Sequence, residues 1–92
     1  MPNTRTADIL ARQIIRSATS VGANYRAACR AKSTPDMINK LEIVEEEADE
    51  TLYWLEILQE VLPLPELPIL SKEGNELLAM TVASIKTLRS RK

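Results

Sequence analysis

Two proline-bearing breaks, "AKSTPD" at Ala31–Asp36 and "LPLPELPILSKEG" at Leu62–Gly74, divide the chain into three segments whose apolar residues recur with the period of an α-helix. No other feature constrains the fold as strongly. In the first break Thr34 suits an N-cap, Pro35 the first helical turn and Asp36 the positive end of the helix dipole. In the second, Pro63, Pro65 and Pro68 bar a continuing helix, and Ser71 is the expected cap of the next. The breaks predict an all-α fold with helices over about 4–31, 35–62 and 71–89 in a single domain, 1–92.

The first segment contains "SVGANYRAACRAKS", Ser20–Ser33, where a glycine among small residues invites comparison with a phosphate-binding loop. Periodicity decides against it. At about 100° per residue, Leu10, Ile14, Ser17, Ala18, Val21, Tyr25 and Ala28 share one side, and the register passes through Gly22 unbroken. Neither G-x-G-x-x-G nor a G-K-[ST] ending is present. Gly22 is therefore expected in a helix, at a cost of about 1 kcal/mol relative to Ala, offset by the close approach of a neighbouring helix. Cys29 falls on the flank of this helix in a chain without histidine, and reads as a small packing residue.

The second segment has a core seam of Met37, Leu41, Val44, Ala48, Leu52, Leu55, Leu58 and Leu62. Roughly opposite lies a shorter apolar row of Ile43, Trp54, Ile57 and Val61, and a helix with two apolar rows packs against two neighbours. This row is the candidate oligomer interface, with Trp54 either a core residue or an interface anchor. Between the rows run Glu42, Glu45, Glu46, Asp49, Glu56 and Glu60. Carboxylate di-metal sites in helical bundles use Glu-x-x-His pairs, and a chain without histidine has none. No metal, no cofactor and no catalytic residue is expected, because no nucleophile–base pair is present either. The third segment turns Leu77, Leu78, Thr81, Val82, Ile85 and Leu88 inward, and its terminal Lys86, Arg89, Arg91 and Lys92 suit the negative pole of its dipole.

Ninety-two residues bury only about two-thirds of the surface that the unfolded chain exposes, which leaves a monomer marginal and favours a homo-oligomer. With Tyr25, Tyr53 and Trp54 as the only aromatic residues, the core rests on aliphatic side chains, as helix-on-helix packing does. The uncharged runs Ser17–Tyr25 and Leu77–Ile85 fall far short of the ~20 residues of a membrane span. A single cysteine and a start, "MPNTRTADIL", without an apolar leader-like stretch point to the cytoplasm.

The net charge of −1 conceals segregation. Residues 1–40 carry seven bases against Asp8 and Asp36, residues 41–70 nine acids and no base, and residues 71–92 five bases against Glu73 and Glu76. On the first helix Arg5, Arg12, Arg16, Arg26 and Arg30 gather within about 80° opposite the apolar side, flanked by Ile9 and Ile15. Two readings stay open for Arg12, Arg16, Arg26 and Arg30: ion pairs with the acidic helix, of this chain or another, or contact with the phosphates of RNA or DNA.

The stretch "ARQIIRSATSVGANYRAACRAKSTPDMINKLEIVEEEADETLYWLEIL", Ala11–Leu58, resembles a family of small bacterial four-helix-bundle proteins. That family is named for open reading frames within intervening sequences of 23S ribosomal RNA genes. Arg16-Ser17, "SVGANYRAA", the "KS" turn and "EEADETLYWLE" carry the resemblance. It implies an antiparallel bundle assembling into a pentameric barrel, and kinship with accessory proteins of diversity-generating retroelements that bind nucleic acid and reverse transcriptase. This chain begins near the family's second helix, so its three helices, up-down-up, correspond to helices two to four: either the true start lies upstream, or a three-helix form leaves a groove that another subunit fills. The chain is thus expected to be a non-enzymatic, oligomeric binding or scaffold protein, with nucleic acid as partner. The alternative is a protein–protein adaptor that binds no nucleic acid.

Overall fold

The computed structural model describes residues 4–91. They form three α-helices, α1 (Thr4–Cys29), α2 (Thr34–Val61) and α3 (Glu66–Ser90), with no strand among the described residues. The all-α expectation holds, with shifts at the breaks. Ser33, not Thr34, caps α2: its extended backbone turns its hydroxyl toward the Asp36 N–H, which donates to Ser33 Oγ at 3.2 Å. The Asp36 carboxylate in turn accepts from the Lys32 N–H at 3.4 Å. Ser-x-x-Asp thus ties both sides of the turn, in the manner of a capping box.

The second correction is larger. Helix α3 begins at Glu66, five residues before the expected Ser71 cap, with Pro65 as N-cap and Pro68 inside the first turn. The first amides of a helix have no intrahelical acceptor, so proline there removes no hydrogen bond, and Pro68 permits what it was expected to forbid. The connection is consequently short. The Leu62 N–H donates to the Leu58 carbonyl at 2.7 Å, the Leu64 N–H to Leu62 at 2.8 Å and the Leu67 N–H to Leu64 at 3.1 Å, leading one helix into the next.

The α2 seam organises the core. Leu41, Val44, Ala48, Leu52, Leu55 and Leu58 are all buried. At one end Leu10 of α1 and Leu67 of α3 meet Leu55 and Leu58, and at the other Ala28 and Ile85 meet Leu41, so successive helices run in opposite directions. Midway, Ser17 is fully buried, and the Thr51 hydroxyl donates to its Oγ at 2.7 Å. A hydroxyl on this apolar register is therefore satisfied across the α1–α2 contact.

Helix α1 packs on α2 and α2 on α3, whereas α1 and α3 have no Cα pair within 8 Å of one another. The molecule measures 54 × 19 × 14 Å, with a radius of gyration of 15.1 Å. A globular chain of this length has about 12 Å, so these helices form an elongated, open layer. Between α1 and α3, with α2 as floor, runs a trough with two hollows of about 510 and 380 Å³. The openness explains several corrections. Ala18 and Tyr25, expected in the core, are exposed on the trough side of α1, and Val82 of α3 is exposed as well. Gly22 has nothing within 4 Å of an added Cβ, contrary to the expected close approach. That role falls to Gly74, whose added Cβ would stand 2.9 Å from Leu52 Cδ2.

Candidate nucleic-acid interface

The long register of α1 carries Arg5, Arg12, Arg26 and, just past its last turn, Arg30, all exposed on the side away from its core residues. Among the described residues none of these four guanidiniums has an ion-pair or hydrogen-bond partner. Arg12 and Arg26 are fourteen residues apart, about 21 Å along the axis. Between them the outer face presents Ile15, Arg16, Thr19 and Ala23, all exposed. The result is a surface with an exposed guanidinium at either end and the exposed Ile15 side chain between them. It can accept anionic groups without first breaking contacts within the chain.

Arg16 behaves differently. Its guanidinium crosses to α2, pairing with Glu50 and lying 3.7 Å from Glu47 Oε1, while its Nε donates to Gln13 Oε1 at 3.2 Å. Glu50 also accepts from the Trp54 indole N–H at 3.2 Å. That hydrogen bond is the largest influence holding the Glu50 carboxyl below its ordinary pKa; Arg16 and Glu47 act in the same direction, and partial desolvation opposes them. Glu47 and Glu50 were absent from the acidic ridge read in the sequence. Their signal was available: with Thr51 and Trp54 they occupy the flank of α2 that meets α1.

The other charges divide similarly. Arg89 of α3 pairs with Glu42 of α2, whereas Glu45, Glu46, Asp49, Glu56 and Glu60 have no cationic partner among the described residues. Of the candidate interface row, Trp54, Ile57 and Val61 are half-buried against the cluster around Leu10, Leu55, Leu58 and Leu67, and Ile43 is half-buried. The row is therefore partly covered by this chain's own α1. Exposed apolar side chains lie elsewhere, at Ile9, Ile15, Tyr53, Ile69, Leu70 and Met80. Tyr53 meets the Trp54 ring edge-on, with centroids 5.0 Å apart.

Cys29 is exposed and lines the smaller hollow of the trough, so it does not pack as a core residue. Among the described residues, no group of three or more acidic, cysteine or histidine side chains could hold a metal ion. No helix among them is long and apolar enough to cross a membrane.

Residues 1–83 match the model of a family described as 23S rRNA-intervening sequence protein. Among solved structures, the chain is similar to a protein of unknown function from the S23 ribosomal protein family of Bacteroides thetaiotaomicron. The two share 39% identity over 85% of this chain and 74% of that one, with a TM-score of 0.80. No curated protein matches the chain.

Proposed function

The chain belongs to the 23S rRNA-intervening sequence protein family, and we propose that it acts there as a non-enzymatic, self-assembling helical module whose α1 outer face binds the phosphate backbone of nucleic acid, RNA foremost. One observation carries this reading: Arg12, Arg26 and Arg30 stay exposed and, among the described residues, unpaired, while of the α1 stripe only Arg16 is drawn to the acidic helix. Had the stripe served to hold α1 against α2, its other members would lean the same way. Repetition of this face in a cytoplasmic oligomer, whose helices correspond to the last three of an antiparallel four-helix bundle, would turn weak phosphate contacts into avidity.

The test is a titration of purified protein with labelled RNA and DNA over a salt series starting near ~50 mM, where electrostatic binding is strongest. Binding that weakens linearly on a log–log salt plot supports the reading; no binding at the lowest salt defeats it. A second reading rests on the free acids Glu45, Glu46 and Asp49, which offer a basic protein partner a docking ridge. A module of that kind is an adaptor, and it would ignore nucleic acid in the same titration.

A further inference from the structure

Arg16 stands at the border between two anionic partners. On α1 it follows Arg12 by about one turn and about 40°, so its backbone belongs to the edge of the exposed arginine face. Its guanidinium nevertheless leans to α2, where it pairs with Glu50 and lies 3.7 Å from Glu47 Oε1. The two carboxylates hold it unequally. The side chains of Arg16 and Glu50 are 50% and 36% exposed, and an ion pair so open to water is weak. A phosphate arriving on α1 can therefore replace Glu50 at modest cost, because a guanidinium offers phosphate oxygens the same fork of donors that it offers a carboxylate.

Glu47 is the more enclosed of the two acids, with an Oε1 that is buried and has no hydrogen-bond donor among the described residues. It keeps a pull on Arg16 and returns the side chain to α2 when the phosphate leaves. Glu50 is tied further inward. Its Oε1 accepts from Arg16 Nη2 and also from the Trp54 indole N–H at 3.2 Å. Trp54 is the only tryptophan of the chain and packs, half-buried, against the cluster of Leu10, Leu55, Leu58 and Leu67. A guanidinium, a carboxylate and an indole thus connect the outer face of α1 with the core.

We propose that Arg16 is the exchangeable member of the phosphate-binding face: Glu50 holds it in the free chain, a backbone phosphate of bound nucleic acid takes it from Glu50, and Trp54 registers the exchange. The inference rests on the α1 outer face being a nucleic-acid site, and it gives that site an internal competitor. Glu50 keeps the affinity below what the arginines alone would reach.

The test uses the intact protein and labelled RNA at ~50 mM salt, where electrostatic binding is favoured. Glu50→Gln keeps an acceptor for Trp54 but removes the charge that holds Arg16, and should tighten RNA binding about two- to fivefold. Asp49→Asn, which removes a neighbouring exposed carboxylate, should tighten it less. In an Arg16→Gln background the advantage of Glu50→Gln over Asp49→Asn should vanish. Saturating RNA should change the Trp54 emission of wild type and leave that of Arg16→Gln unchanged, although this variant still binds through Arg12, Arg26 and Arg30. Should Arg16→Gln fail to fold, Glu50→Gln takes its place: with Arg16 already released, its Trp54 emission should not respond to RNA. An advantage that persists without Arg16, or an emission change as large in these variants as in wild type, overturns the exchange while RNA binding by the face stands. A wild type that binds no RNA overturns both.

Discussion

A methyl group placed on Gly74 would stand 2.9 Å from the Cδ2 of Leu52, the closest approach that either glycine of the chain makes. The two glycines therefore predict opposite balances. Gly22→Ala meets open space and should stabilise by about 0.5–1 kcal/mol through reduced backbone entropy. Gly74→Ala has the same helix-propensity gain, but must push the Leu52 side chain toward the trough, so its gain should be smaller or reversed. Thermal melts of the two variants test the order, and a Gly74→Ala variant more stable than Gly22→Ala would contradict the α2–α3 packing.

Ser17 is a second point of tight contact. Fully buried and accepting from Thr51, it should tolerate Ser17→Ala at a cost of about 1 kcal/mol, because the Thr51 hydroxyl also reaches the Glu47 carbonyl at 2.8 Å. Ser17→Leu should cost more, about 1–3 kcal/mol, by forcing α1 and α2 apart. Denaturant midpoints at constant slope measure both.

The Glu50 carboxyl is held below its ordinary range in the folded chain, chiefly through the Trp54 hydrogen bond, with Arg16 and Glu47 adding to it. A folded pKa depressed below the unfolded one gives stability that is present above the unfolded pKa and lost as pH falls through the folded one. The Tm should accordingly drop on acidification below about 4.5 by more in wild type than in Glu50→Gln. Trp54→Phe, which removes the indole donor, should show an intermediate acid sensitivity. Equal acid limbs for wild type and Glu50→Gln would mean that the Trp54–Glu50–Arg16 contacts are not held in solution.

Arginines of one stripe should separate by phenotype. Arg16→Gln breaks a contact within the chain and should lower the Tm slightly, as exposed pairs contribute roughly 0–1 kcal/mol. Arg26→Gln with Arg30→Gln should leave the Tm unchanged and reduce the salt slope of nucleic-acid binding by about two. If the double replacement lowers the Tm or dissociates the oligomer instead, the stripe binds protein and the adaptor reading prevails.

Periodicity made most of the fold legible because burial and periodicity are linked. Every residue of the α2 seam from Leu41 to Leu58 is buried, and the break at "STPD" lies within one residue of its expected cap. Pro68 misled because a proline bars a helix only past its first turn, and sequence alone does not say where that turn begins. At the candidate site, the arc of arginines was legible and its division was not. Arg16 differs from Arg12 by about 40° around α1, which suffices to bring it over α2, yet only the position of the neighbouring helix tells which edge of a stripe that will be. A groove is expected only from the family resemblance; periodicity does not reveal the trough, since an apolar stripe identifies a buried side and not how many neighbours cover it. Tyr25 and Ala18, correctly placed on that side, are exposed for this reason.

Only α2 brings its backbone within 8 Å, Cα to Cα, of both other helices, and this bears on how the chain opens. Detaching α3 exposes Leu67, Thr81 and Ile85 but breaks no backbone approach to α1, so the α1–α2 hairpin keeps its Ser17–Thr51 and Arg16–Glu50 links. Such a chain opens in stages, and amide hydrogens of α3 exchange with solvent through a partial opening before those at the centre of α2. An edge helix that loosens first can also be captured first, so whichever surface claims α3 determines how long the whole molecule stays closed.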